Sequence, residues 1–137
     1  LYTGIKANTQ KVISQVESTG RAHPELISST MSSISALIPA ARVALEKADY
    51  ETLGMLMNKN QNYLKSLGVS SPEVEYALQQ IHTQHIYGAK ISGAGMGDCI
   101  IALAKEWDDT WSPEAPCALI PLQTHVEGVR TESHPAL

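Results

Sequence analysis

The sequence feature that most constrains the fold is a glycine-rich loop between two short apolar segments. Residues 88–103 read GAKISGAGMGDCIIAL, with glycine at three of five positions, Gly93, Gly95 and Gly97. Glycine has no Cβ, so such a loop turns sharply and brings its backbone N–H groups close to a ligand. Consecutive N–H groups of this kind form a concavity that suits phosphate or carboxylate oxygens. A glycine loop between strands is more often a tight turn, so the rest of the chain must decide between the two interpretations.

The segments around this loop predict β-strands over residues 90–92 and 99–104. Residues 118–122 and 125–131 have the same character, and Pro121 indicates an edge strand or a bulge. Residues 105–116, which contain both tryptophans, connect the strand at 99–104 to the strand at 118–122, and their pattern predicts neither a helix nor a strand.

The first half of the chain has helical periodicity instead. Thr9 is predicted to cap a first helix that Gly20 closes. Pro24 fits the first turn of a second helix, and Pro39 is predicted to kink or break it because proline removes a backbone donor. Residues 40–47 then resume the helix with strong helix formers.

Two more helices follow before the strands begin. Asp49 is predicted to cap the third helix, which stops at Gly68. Ser70 and Glu73 have the spacing of a capping box for a fourth helix that ends near His85. Val74, Leu78 and Ile81 are predicted to line the buried face of this helix. Helices first and antiparallel strands later predict a single α+β domain over residues 1–137.

Composition excludes several function classes. The net charge is −4 and the Lys and Arg residues are scattered, which argues against a nucleic-acid partner. The longest apolar runs fall short of the ~20 residues of a membrane span, so no membrane partner is expected. Cys99 and Cys117 lack metal-binding spacing and predict reduced thiols in a cytoplasmic protein.

Other chemistry-bearing residues give weaker signals. His82 and His85 lie three residues apart, but no neighbouring ligand completes a metal site, and none is predicted. Ser92 lacks the context of a catalytic serine. Lys90 is the one cation beside the glycine loop and a candidate phosphate contact. Asn58 is predicted to face solvent with its neighbouring asparagines, although one of them could tie its helix to a neighbouring loop.

Several stretches together resemble a known family. They resemble the carboxyl-terminal domain of the GHMP small-molecule kinases, and within that superfamily they look most like the mevalonate kinases. The glycine loop is the specific part of this resemblance, which covers nearly the whole chain. The matching stretches are YTGIKANT at residues 2–9, GMLMN at 54–58, Leu64, LGVSSP at 67–72, GAKISGAG at 88–95 and EGVR at 127–130.

The resemblance implies a ferredoxin-like, four-stranded antiparallel sheet covered by helices. It also implies phosphoryl transfer from ATP to a hydroxyl of a small acid, with Mg²⁺ in the intact enzyme. The glycine loop would then help to shape the site around phosphates and substrate, with Thr9 at the family's helix-start threonine as a further candidate. The candidate contacts are Ser92, Gly93, Ala94, Gly95, Met96, Gly97 and Thr9.

The family's phosphate-cradling PxxxGLGSSA-type loop, catalytic Asp and catalytic Lys are not found in this sequence. Because the chain begins at Leu1 without a methionine, we expect a fragment that lacks the amino-terminal ATP-binding and catalytic domain. The fragment itself is expected to be inactive, with no catalytic residue and no tightly bound cofactor. Its expected partners are a small-molecule substrate, the missing domain and, as a further candidate, a second copy in a homo-oligomer.

Three questions stay open at this point. The substrate could instead be that of a phosphomevalonate kinase, a galactokinase or a homoserine kinase. The chain could also be a non-catalytic, ferredoxin-like regulatory or oligomerisation domain that binds a small effector. Met96 and Asp98 stand where the family commonly has glycine. Asp98 would repel a polyanion unless Mg²⁺ or a turn N–H receives it, and we expect it to accept N–H groups of the loop.

Overall fold

The computed structural model describes residues 1–120, in which four helices precede two strands. The order of the elements confirms the predicted α+β class. The elements are α1 (Thr9–Ala22), α2 (Pro24–Glu46), α3 (Tyr50–Ser66), α4 (Pro72–Ile81), β1 (Ile86–Ser92) and β2 (Cys99–Ala104).

The amino-terminal cap of α1 lies one residue before the predicted position. Asn8, and not Thr9, caps α1, because its side-chain oxygen accepts the N–H of Lys11 at 3.1 Å. Both residue types can cap a helix, and the path of the preceding chain selects between them. Asp49 caps α3 as predicted and accepts the N–H of Thr52 at 3.0 Å.

The bounds of α4 also differ from the prediction. Ser71, and not Ser70, caps this helix, with its hydroxyl oxygen 3.4 Å from the N–H of Val74. The Ser70 hydroxyl is unavailable as a cap because it bonds other side chains. The helix ends at Ile81, four residues before the predicted end at His85.

Pro39 does not break α2, so this part of the prediction is wrong. The helix runs through it for 23 residues. Pro39 and Ser35, whose carbonyl loses its helical donor, are both exposed, so water can satisfy that carbonyl.

Helix α2 is long and apolar enough to cross a membrane by length and composition alone, with a mean hydropathy of 1.2. Core helices of soluble proteins and signal sequences meet the same criterion, so this is weak evidence for a membrane span.

The edge of β1 that faces away from β2 is covered by α3. Strand β1 pairs with β2 in antiparallel register from Ser92–Cys99 to Ile86–Ala104, with an irregularity between Ile86 and Gly88. Alternate residues of an antiparallel strand direct their backbone groups to the opposite edge. There Asn58 of α3 accepts the N–H of Ala89 at 3.0 Å and lies 3.5 Å from the carbonyl of Tyr87.

One turn further along α3, Gln61 accepts the N–H of Ile91 at 2.9 Å. Two side chains therefore replace the strand that this edge would otherwise bind, and the exposed edge is removed. Asn58 is half-buried against β1 and does not face solvent, which corrects that prediction. The tie it makes goes to a strand and not to a loop.

Glycines make this close packing of helix and strand feasible. A Cβ on Gly88 would lie 2.1 Å from the carbonyl oxygen of Gly54, and a Cβ on Gly54 would lie 2.4 Å from the carbonyl group of Tyr87. No side chain fits between the two backbones at this point.

The start of the chain extends the sheet on the far side of β2. Thr3 donates its N–H to the carbonyl of Asp98 at 2.8 Å, and Tyr2 forms bridges with both Cys99 and Ala118. Residues 1–120 thus contain two named strands and two isolated bridges. Of the two later strands in the prediction, only the bridge at Ala118 is observed, and residues 121–122 and 125–131 lie outside the described part.

The hydrophobic core lies between α4 and the β1–β2 pair, closed by the first turns of α1 and the segment after α3. As predicted, the buried face of α4 carries Val74, Leu78 and Ile81. Burial also raises the pKa of the Cys117 thiol, and both cysteines are free thiols. The other buried core residues are Val12, Leu67, Val69, Ala77, Ala89, Ile91 and Ile100.

The contact between Gly54 and Gly88 predicts a strong effect of one methyl group. Gly88→Ala is expected to lower the free energy of unfolding by about 2–3 kcal/mol, because a backbone carbonyl cannot move aside as a flexible side chain can. Gly20→Ala in α1 is the matched control. Its new Cβ would lie 3.4 Å from a side-chain atom of Ile27, and it should stabilise the helix by about 0.5–1 kcal/mol. Urea denaturation of the two variants measures both effects, and equal losses would contradict the backbone contact.

Candidate functional site

The glycine loop between β1 and β2 has an unusual backbone. Within residues 93–98, φ is positive at Gly93, Gly95, Met96, Gly97 and Asp98, at 93°, 92°, 58°, 139° and 54°. The two departures from the glycine pattern, Met96 and Asp98, therefore sit at positions whose backbone favours glycine. The loop keeps this conformation because contacts on both sides fix it.

The inner contact holds the middle of the loop against the turn between α3 and α4. The Met96 N–H donates to the carbonyl of Val69 at 2.7 Å. A Cβ on Gly95 would lie 2.4 Å from that same oxygen. Gly95 is therefore required for packing, whatever its relation to a ligand.

The outer contact holds the end of the loop against the segment before α1. The Asp98 N–H donates to the carbonyl of Ile5 at 2.7 Å, and a Cβ on Gly97 would lie 2.8 Å from the same carbonyl. Gly97 is buried by this contact.

The Asp98 side chain accepts a backbone N–H. Its Oδ1 lies 3.1 Å from the N–H of Ala7. The expected role as an N–H acceptor is seen, but the donor belongs to the segment before α1 and not to the glycine loop. This bond fixes the approach of α1 to the loop, so Thr9, two residues beyond Ala7, lies on the side of the loop's outer end.

Residues 92–94 form the open part of the loop. Gly93 is exposed, and no atom lies within 4 Å of the position that its Cβ would take. Ser92 and Ala94 are half-buried beside it. No acceptor within residues 1–120 takes the N–H of Gly93 or Ala94. Within the described part of the chain those two N–H groups have no protein acceptor, which makes them candidate donors to oxygens of a ligand.

Lys90 does not point to this opening. Its Nζ donates to the carbonyl of Ile91, and the side chain borders an apolar groove between α2 and α3. Burial lowers the pKa of this half-buried lysine. The Lys90 ammonium is therefore bound to a backbone carbonyl, and its phosphate contact stays a prediction.

The histidines do not form a metal site in the described part of the chain. His85 lies 3.5 Å from a carboxylate oxygen of Glu106, and both side chains are exposed. Across residues 1–120 no three His, Cys, Asp or Glu side chains are grouped closely enough to hold a metal ion.

The residues that shape the loop were missed by the sequence analysis. Val69 and Ile5 act through backbone carbonyls, and a carbonyl contact leaves no mark in residue type. Gln61 carried a weak signal, since it lies one turn after Asn58 on a helix that is apolar on one face, and a polar side chain on the buried face needs a hydrogen-bond partner.

A family comparison agrees with this geometry. The model of the GHMP kinases C terminal family matches residues 41–110, which include α3, α4, both strands and the glycine loop. The chain belongs to the GHMP kinase C-terminal family.

Named relatives point to one branch of that family. The chain is 38% identical over 104 residues to a mevalonate kinase of Aeropyrum pernix, covering 76% of this chain and 32% of the relative. It is 30% identical over 128 residues to a mevalonate kinase of Archaeoglobus fulgidus, covering 91% of this chain and 40% of the relative. The chain thus spans only about a third of the length of the curated relatives that it matches.

Solved structures show the same fold. A crystal structure of the L. major mevalonate kinase in complex with R-mevalonate matches with a TM-score of 0.73 and 35% identity, over 77% of this chain and 32% of the other. The Lin0012 protein from Listeria innocua matches with a TM-score of 0.70 at 22% identity, over 77% of this chain and 31% of the other, which supports the fold alone.

Two glycines of the loop are expected to respond differently to alanine. Gly95→Ala adds both a strained φ and a clash with the carbonyl of Val69, so it should lower the free energy of unfolding by about 3 kcal/mol. Gly93→Ala adds only the strained φ in open space and should cost about 1 kcal/mol. Chemical denaturation measures the contrast, and equal costs would show that Gly95 does not rest on Val69.

Asp98 is expected to be needed as an acceptor and not as a charge. Asp98→Asn keeps an oxygen acceptor for the N–H of Ala7 and tolerates a positive φ, so stability should change by less than about 0.5 kcal/mol. Asp98→Ala removes that acceptor and should cost about 1–2 kcal/mol. Thermal unfolding compares the two, and an equal loss in both would assign the effect to charge.

Proposed function

We propose that this chain is the carboxyl-terminal domain of an ATP-dependent mevalonate kinase, which transfers a phosphoryl group from ATP to a hydroxyl of mevalonate. The observation that carries the proposal is the open loop at residues 92–94 in a member of the GHMP kinase family, where the N–H groups of Gly93 and Ala94 have no acceptor within residues 1–120. Identity to mevalonate kinases over three quarters of the chain favours mevalonate over the substrates of other GHMP kinases.

The loop's chemistry suits a phosphorylated ligand. Phosphoryl transfer depends mostly on positioning and on neutralising the charge of the phosphates. The N–H groups of Gly93 and Ala94 would donate to phosphate oxygens, and the missing Cβ of Gly93 allows those oxygens to approach the backbone. Because the loop is already fixed, binding costs little reorganisation.

The other candidate residues take supporting parts in this proposal. Gly95, Met96 and Gly97 form the wall that holds the open part in place, since their backbones contact Val69 and Ile5. The hydroxyls of Ser92, at the end of β1, and of Thr9, at the start of α1, would contact phosphate or substrate.

Residues 1–120 do not fit a Mg²⁺ site. Asp98 is the one carboxylate of the loop, and its Oδ1 already accepts the N–H of Ala7. A cation that accompanies ATP would therefore be held by the amino-terminal domain of the intact enzyme, together with the catalytic groups and the main phosphate loop. Under this proposal the chain supplies one wall of a site between two domains of a cytoplasmic enzyme.

The proposal predicts activity for the full-length protein and none for the isolated chain. ADP release with ATP and (R)-mevalonate should exceed that with phosphomevalonate, galactose or homoserine by at least tenfold. The isolated chain should be folded by circular dichroism and stay at background, because under this proposal the catalytic groups and the cation site lie in the amino-terminal domain. Turnover by the isolated chain would place the catalytic groups here, and preference for another of these substrates would overturn mevalonate.

The same assay tests the loop. Gly93→Ala in the full-length protein should reduce kcat/KM for ATP at least tenfold, because the methyl group lies where phosphate oxygens would approach. Gly20→Ala is the control and should keep the wild-type rate. Unchanged kinetics for Gly93→Ala would contradict a ligand role for the open part of the loop.

A further inference from the structure

A buried amide connects the two sides of the glycine loop. Gln61 of α3 is 7% exposed. Its Oε1 accepts the N–H of Ile91 at 2.9 Å, and its Nε2 donates to the hydroxyl of Ser70 at 3.0 Å. Both ends of the amide are satisfied, as a buried polar side chain requires.

The two partners of Gln61 lie at the two supports of the loop. Ile91 is the last residue but one of β1 and leads directly into the loop. Ser70 follows Val69, whose carbonyl receives the N–H of Met96 and lies against Gly95. One side chain thus sets the distance between the strand that delivers the loop and the turn on which the loop rests.

The orientation of this amide is fixed by a further chain of hydrogen bonds. Ser70 donates its only hydroxyl proton to Oε1 of Glu75, so its oxygen is left to accept from Gln61. The other carboxylate oxygen of Glu75 accepts from Nζ of Lys65 at 2.7 Å. Partial burial opposes ionisation of Glu75, but the bonds from Lys65 and Ser70 outweigh it and lower the pKa of its carboxyl. The carboxylate therefore stays an acceptor at neutral pH.

We propose that Gln61 is a positioning residue for phosphoryl transfer. It holds the glycine loop in the position in which residues 92–94 face the phosphates. This rests on the function proposed above. Gln61 does not touch the open part of the loop, so its effect passes through Ile91 on one side and Val69 on the other.

Asn58 provides a matched control. It lies one turn before Gln61 on the same face of α3 and makes the same kind of tie to β1, at Tyr87 and Ala89. Its contacts end three residues before the loop and do not reach Val69. Gln61→Met and Asn58→Leu each remove one amide tie while keeping side-chain volume.

The experiment compares these variants in the full-length protein. Gln61→Met should speed hydrogen exchange at the Met96 amide at least tenfold and lower kcat at least tenfold. Asn58→Leu should lower the melting temperature as much as Gln61→Met does, while its kcat stays within twofold of wild type. Equal effects of the two variants on kcat, or losses that follow melting temperature alone, would overturn the positioning role.

Ser70 supplies a milder second pair, should Gln61→Met fail to fold. Ser70→Ala removes one partner of the amide, so it should speed hydrogen exchange at the Met96 amide and lower kcat. Ser70→Thr keeps the hydroxyl, so both its exchange rate and its kcat should stay at the wild-type values. If the variants differ in hydrogen exchange at Met96 but the full-length protein does not turn over mevalonate, the proposed function is wrong, whereas Gln61 still positions the loop. Turnover of mevalonate without either contrast would sink the positioning role alone.

Discussion

The close approach of α3 to the edge of β1 is the constraint on which the rest of the structure depends. Two glycines, Gly54 and Gly88, bring the backbones of helix and strand into direct contact. Asn58 and Gln61 then satisfy backbone groups that another strand would normally pair. With the edge closed in this way, α4 packs on one face of the β1–β2 pair, and the core forms there.

The glycine loop inherits its shape from that framework. Positive φ at five of its residues is tolerated because Val69 on one side and Ile5 on the other receive its N–H groups. Strain of this kind persists only where the surroundings over-determine the backbone. The glycines of this short loop therefore have different roles. Gly95 and Gly97 are needed for packing, while Gly93 is left open to solvent and to a ligand.

In the proposed function, this chain supplies one half of a site between two domains. The loop offers donors for oxygens but, in the described residues, no cation and no base beside them. Phosphoryl transfer needs charge neutralisation as well as positioning. That requirement agrees with a chain that spans about a third of the length of its mevalonate kinase relatives.

The sequence by itself determined the order and type of the helices and strands of residues 9–104, the buried face of α4 and the position of the glycine loop, because periodicity and turn chemistry are local. It predicted caps at Thr9 and Ser70, each one residue from the observed caps Asn8 and Ser71, since adjacent polar residues compete and the incoming chain selects between them. It predicted a kink or break at Pro39, but α2 continues through this exposed proline. Only the tertiary structure decided which glycine is open and which is packed, and that Gln61 joins strand to turn. The packing of Gly95 and Gly97 depends on the backbone carbonyls of Val69 and Ile5, and the position of a backbone carbonyl cannot be predicted from residue type.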